Sequence, residues 1–157
     1  MKKRQTKNVL AVDDDETILK SFKAILQARG YNVDTAKTAK EAIEKSEETF
    51  YNLALLDIKL PDMEGTKLLT KMHETTPRMM KIMVTGYPSL ENAVEALNLG
   101  ADAYVIKPVK PEELLEVVKT KLEEQEEVER LGEEKVTEWI RTRIQKLELG
   151  HKAKTAT

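Results

Sequence analysis

The sequence predicts an α/β fold of three layers, a doubly wound parallel sheet of five strands with helices on both faces, followed by a C-terminal helical extension. Two observations carry this. Five short apolar runs alternate with five segments whose apolar residues recur at three- and four-residue steps, and strict strand–helix alternation closes into a parallel sheet through right-handed crossovers. The run Leu53-Ala54-Leu55-Leu56 is also apolar without alternation, as a strand covered on both faces requires. It ends at a carboxylate, Asp57, with Pro61 and Gly65 marking the loop beyond.

The first run, Val9 to Val12, meets the acidic turn Asp13-Asp14-Asp15-Glu16. Ile18, Leu19, Phe22, Ile25 and Leu26 then keep helical spacing up to Gly30. Acids there can cap a helix N-terminus and meet its positive dipole end, which accounts for one of them and not for three. Tyr31 to Ala36 alternates as a half-exposed strand, and Thr38 with Glu41 forms a capping box before Ala42 and Ile43. After Asp57, a helix from about Gly65 carries Leu68, Leu69 and Met72 and ends before Pro77. Lys81 to Val84 leads into Thr85-Gly86. Ser89 can cap the next helix, which bears Ala93, Val94, Ala96 and Leu97 and stops at Gly100. Ala103 to Ile106 runs into Lys107-Pro108, and Pro111 suits the first turn of a helix carrying Leu114, Leu115, Val117, Val118 and Leu122.

The 157 residues fit one domain, 1–122, with an appendage, 123–157. A formal net charge of −2 offers no global attraction to nucleic acid or anionic lipid. The absence of cysteine excludes disulfides and thiolate metal sites, so a reducing cytosol is the simplest location and the chain is expected to be cytoplasmic. The basic start Met1-Lys2-Lys3-Arg4 precedes too few apolar residues for a signal-peptide core, and no segment reads as a membrane span. That start reads as a solvated tail.

The chemistry lies at the strand ends. The first delivers Asp13 and Asp14, the third Asp57, the fourth Thr85 and the fifth Lys107. In an open parallel sheet this is the edge at which ligands bind. Gathered carboxylates repel one another, and a hard cation relieves the repulsion. Mg2+ takes few protein oxygens and keeps positions for water and phosphate. Thr85 can donate to a phosphoryl oxygen, Lys107 supplies a compact positive charge, and Gly86 leaves room beside them. An Asp is an acceptable nucleophile in phosphoryl transfer.

Val12-Asp13-Asp14-Asp15, Leu55-Leu56-Asp57 with Leu60-Pro61-Asp62-Met63-Glu64-Gly65, Val84-Thr85-Gly86 and Ala101 to Pro108 closely resemble the receiver domain of two-component response regulators, over about Lys7 to Leu122. The resemblance implies the flavodoxin-like strand order 2-1-3-4-5 and a chain that is not itself an enzyme. It makes Asp57 the phosphoacceptor, served by a histidine kinase or phosphotransfer protein. Mg2+ would be held by Asp13, Asp14, Asp57 and the backbone carbonyl of Lys59, with Thr85, Gly86 and Lys107 around the phosphoryl group. It further implies a cis Lys107-Pro108 bond, a switch through Thr85 and Tyr104 that alters the face formed by the fourth helix, fifth strand and fifth helix, and Lys59 and Tyr87 at positions tuning phosphate lifetime.

Two rival readings differ in class. Asp13-Asp14-Asp15-Glu16-Thr17 also fits the Asp-x-Asp-x-Thr nucleophile motif of haloacid-dehalogenase-like phosphatases, but only helix follows Lys107, where that family places a further acidic motif, and Asp57 is left idle. A pseudo-receiver that binds partners without phosphorylation would not need the intact acid pair, Thr85 and Lys107.

In the appendage, Glu123 to Glu127 extends the fifth helix, and Gly132 is the expected break. From Glu133 to Leu149, Val136, Trp139, Ile140, Ile144 and Leu147 form one apolar stripe, which asks for a cover: the receiver, a second copy in a homodimer, or a helix-mediated protein partner. The heptad pattern fails near Gly132, so a continuous long coiled coil is not expected. One helix with balanced charge does not make a helix-turn-helix, and direct DNA binding by this chain is not expected.

Overall fold

The computed structural model describes residues 5–155. The start Met1–Arg4, expected as a solvated tail, and the last two residues lie outside the described residues. The order of elements is β1 Asn8–Val12, α1 Glu16–Gln27, β2 Asn32–Ala36, α2 Ala39–Glu48, β3 Leu53–Asp57, α3 Gly65–Thr75, β4 Met80–Thr85, α4 Leu90–Asn98, β5 Ala103–Ile106 and α5 Pro111–Thr155. The five strands are parallel in the order β2-β1-β3-β4-β5, as expected.

Alternate strand residues feed two cores. Val9, Ala11, Leu53, Leu55, Ile82 and Val84 pack with Leu19, Phe22 and Leu26 of α1 and with Leu114, Val118 and Leu122 of α5. Leu10, Val12, Ala54, Leu56 and Met83 pack with Ala39 and Ala42 of α2, Leu68, Leu69 and Met72 of α3, and Ala96 of α4. The middle strands are therefore apolar on both faces, which is why their sequences lack alternation.

Short side chains set the helix starts. Asp15 caps α1, accepting from Thr17 N–H at 2.9 Å and Ile18 N–H at 3.3 Å. Ser89 caps α4 by accepting from Asn92 N–H. Thr38 caps α2 by accepting from Glu41 N–H, while the Glu41 carboxylate reaches Lys37 N–H, one residue earlier than in an ideal capping box. Gly100, at φ +105°, follows α4 in a conformation that favours glycine. Lys81, inside an apolar run, is buried; its ammonium donates to the Thr76 carbonyl at 2.7 Å, and its backbone N–H donates to Asp102 Oδ2 at 2.8 Å.

The chain divides into two compact units that meet between Leu122 and Glu123. In the second, the break expected at Gly132 is absent, because α5 is helical throughout Pro111–Thr155. A helical glycine costs about 1 kcal/mol, and strong helix formers on either side offset it. Arg130 also pairs with Glu127 and, across the glycine, with Glu134.

The β3–α3 loop is fixed by a close approach. Gly65 donates its N–H to the Ile58 carbonyl at 2.6 Å, and a Cβ on Gly65 would lie 2.0 Å from the Asp57 carbonyl oxygen and 2.7 Å from Ile58 Cα. Both are backbone atoms that cannot yield without moving the end of β3. Gly65→Ala is expected to lower unfolding free energy by roughly 2–3 kcal/mol in urea titration. Gly86→Ala, whose Cβ would come no nearer than 3.9 Å to the Lys107 stem, should change it by less than about 0.5 kcal/mol.

Candidate functional site: an acidic cluster at the sheet edge

β1 and β3 lie side by side in register, Val12 against Leu56, so the turn after β1 and the last residue of β3 emerge together. One carboxylate oxygen from each of Asp13, Asp14 and Asp57 falls within 4.8 Å of the others. Asp13 and Asp57 are buried, and Asp14 is exposed. The turn is held by its own hydrogen bonds: Asp13 N–H donates to the Ala36 carbonyl, and Asp13 Oδ1 accepts from Asp15 N–H. With Asp15 committed to its cap, Asp14 is the acid without a structural task in this turn.

Lys107 arrives from the other side of the sheet. Its backbone N–H donates to the Thr85 carbonyl at 2.8 Å, and its peptide bond to Pro108 is cis. Its ammonium donates to Asp13 Oδ2 at 2.5 Å and stands 3.6 Å from Asp57 Oδ1. That Asp57 oxygen is buried with no hydrogen-bond partner. Burial, and secondly the Asp13 charge, push the Asp57 carboxyl up to about 6, against the opposing pull of Lys107 and a backbone hydrogen bond from Lys59. A carboxylate pair and a third exposed acid around an orphaned buried oxygen are hard oxygen donors, and they fit a small divalent cation such as Mg2+.

Register places Val84 opposite Asp57, which sets Thr85 one position further along at the same edge. Thr85 is buried, and its Oγ1 accepts from Tyr87 N–H at 2.9 Å, leaving its own proton to donate. Gly86 borders the Lys107 stem. Tyr104 packs against the α2–α3–α4 core cluster with its hydroxyl buried and no well-formed partner, and burial raises its pKa.

Sequence reading singled out Lys59, Tyr87 and Gly65 but did not reveal three contacts around the site. The Lys59 ammonium lies 3.7 Å from the centroid of the Tyr87 ring, tying the β3–α3 loop to the β4–α4 loop by a cation–π contact. Asp62 braces the same loop against α2, accepting from Ala39 N–H and Lys40 N–H at 2.9 Å each; these bonds lower its pKa. Gly65 permits the approach described above. Of these, only the close approach at Gly65 has a local signal, its place after Leu60-Pro61-Asp62-Met63-Glu64.

The model of the response regulator receiver domain matches residues 9–119. Among curated relatives, the transcriptional regulatory protein ZraR of Escherichia coli K12 is 36% identical over 102 residues, 65% of this chain and 23% of ZraR. The alginate biosynthesis transcriptional regulatory protein AlgB of Pseudomonas syringae pv. tomato is 34% identical over 106 residues, 68% of this chain and 24% of AlgB. The chain thus spans about a quarter of the length of these relatives. A CheY-like receiver domain protein from Methanospirillum hungatei superposes with TM-score 0.77 at 60% identity, covering 78% of this chain and 98% of that one. The beryllofluoride-activated NtrC4 receiver domain dimer gives TM-score 0.74 at 39% identity, covering 76% of this chain and 99% of that one.

The raised Asp57 pKa has a signed consequence. Its folded value, about 6, lies above the ordinary aspartate value of 3.8, so the stability linked to its protonated form is complete below about 4 and lost as pH rises through 6. At pH 7.5 without divalent cation, Asp57→Asn should therefore raise the thermal midpoint, by roughly 1–3 kcal/mol of stability. Adding Mg2+ should raise the midpoint of the parent and have much less effect on the variant. Scanning calorimetry of both proteins with and without Mg2+ checks this.

Proposed function

The chain belongs to the receiver-domain family of two-component response regulators, and from that premise we propose that it accepts a phosphoryl group on Asp57 from a histidine kinase or phosphotransfer protein. The observation that carries the reading is the Asp57 Oδ1 atom, buried, unpartnered and 3.6 Å from the Lys107 ammonium. A carboxylate oxygen left in that state is available to a new bond, and the cation beside it meets the charge that the incoming group brings.

In the proposed step, an Asp57 carboxylate oxygen attacks the phosphorus of a phosphohistidine. The phosphorus–nitrogen bond breaks with its electron pair going to the imidazole, which departs neutral from its imidazolium form, and the product is an aspartyl phosphate. Asp13, Asp14, Asp57 and the backbone carbonyl of Lys59 would hold Mg2+, which when bound supplies positive charge against the phosphoryl oxygens. Lys107 shares its charge between Asp13 and the phosphoryl group. Thr85 donates its free hydroxyl proton, and Gly86 keeps the space beside the Lys107 stem open.

The same phosphoryl contact would make Thr85 and Tyr104 the switch, with the outcome read on the face of α4, β5 and α5. The chain supplies an acceptor and its own hydrolysis, with no turnover of another substrate, and it acts in the cytoplasm. Among the described residues no helix is long and apolar enough to cross a membrane. Contact with DNA is left to other chains or segments.

Incubation with radiolabelled acetyl phosphate and Mg2+ is expected to label the parent and not Asp57→Asn. Lys107→Met should slow labelling by about 100-fold, the scale for removing a preorganised charge partner. Label on Asp13 in place of Asp57 would support the phosphatase reading, and no label on any residue would support a pseudo-receiver.

A further inference from the structure

The second unit, from Glu123 onward, carries an apolar stripe that is exposed: Val128, Val136, Trp139, Ile140, Ile144 and Leu147 are all at least 45% accessible. A single helix with such a stripe is marginal in water, and its stability has to come from packing. Along it, Val128, Gly132, Val136, Trp139 and Leu147 are spaced by four, four, three and eight residues, with Ile140 and Ile144 on one flank and Arg143 between Trp139 and Leu147. Val128 to Trp139 and Val136 to Leu147 are each eleven residues apart. An eleven-residue period keeps a stripe along one line of a nearly straight helix, so the failed heptad pattern does not prevent pairing.

Charge decides the occupant. Residues 123–134 hold seven glutamates and one arginine, a net of −6, whereas residues 135–149 hold four basic residues and two glutamates, a net of +2. Two copies laid parallel would set the acidic half against the acidic half. Two copies laid antiparallel set each acidic half against a basic half. We propose that this helix pairs with the same helix of a second copy in antiparallel orientation, centred near Lys135 and Val136.

That register puts Glu124 beside the partner's Lys146 on one flank, Glu129 near the partner's Arg143, and Gly132 opposite the partner's Trp139. Nothing lies within 4 Å of a Cβ placed on Gly132, so a broad flat indole has room to sit on bare backbone there. Gly132, which interrupts the helix pattern in sequence, then has a packing role. Apolar burial supplies the association, and the segregated charge selects its direction.

The chain has no cysteine, so single introduced thiols report the geometry in the full-length protein. Glu124→Cys and Lys146→Cys lie at exposed positions. Antiparallel pairing places position 124 about 33 Å from its own copy, at about 1.5 Å per residue over about twenty-two residues, and beside position 146 of the other. Under mild oxidation, a mixture of the two variants is expected to give a mixed disulfide dimer, while neither variant alone gives more than a trace. Efficient crosslinking of Glu124→Cys with itself overturns the proposal. The unmodified chain should sediment at twice its monomer mass in low salt, and Trp139→Glu, with helix content unchanged by circular dichroism, should return it to monomer. A monomer at every concentration tested also overturns it.

Discussion

The structure turns on the repulsion among three carboxylates that the backbone holds together. Asp13, Asp14 and Asp57 would separate in a flexible chain, since each charge raises the cost of the next. Here the separation is prevented by two parallel strands whose register is set by alternating apolar side chains in two cores. Burial, and after it the Asp13 charge, hold Asp57 near 6, and the Lys107 ammonium, brought in from the far side of the sheet, offsets only part of this. The cores contribute the energy that makes such a site tenable. Gly65, Asp62 and Lys59 then fix the loop after Asp57, so that the carboxylate cannot relax outward.

Much of this was legible in the residues because local and long-range signals agreed. The five strands, the caps at Asp15, Thr38 and Ser89 and the stop at Gly100 follow from short-range chemistry. Asp13, Asp14, Asp57 and Lys107 were legible together because each ends a strand, and the alternation of elements sends all those ends to one edge. What escaped depends on pairs distant in sequence with no period to betray them. Lys59 and Tyr87 were named through the resemblance alone, and their contact with each other forms only where two loops meet. Lys81 is buried because its stem fills an apolar position while its ammonium reaches the Thr76 carbonyl. Gly132 misled for a different reason: propensity reads a glycine as a breaker, but in a long run of good helix formers a loss of about 1 kcal/mol is spread over many turns and the helix continues.

The way the helices are held bears on where a change at the site would travel. α3 buries Gly65, Leu68, Leu69 and Met72, while α4 buries Ala96 and leaves Leu90, Val94 and Leu97 exposed. A helix anchored by one small side chain rests on fewer apolar contacts than its neighbours, and such an element lies at the low end of local stability. α4 is also joined directly to the site: β4 ends at Thr85, whose hydroxyl holds Tyr87 N–H, and Tyr87 accepts the Lys59 ammonium on its ring and the Asn92 amide on its carbonyl. Under the proposed phosphorylation, drawing the Thr85 hydroxyl toward a group on Asp57 would load this short path directly. On that reading α4, the element with least apolar anchorage, would give way first, and Tyr104, packed in the same core cluster with its hydroxyl unpartnered, would be the core residue placed to take up the difference.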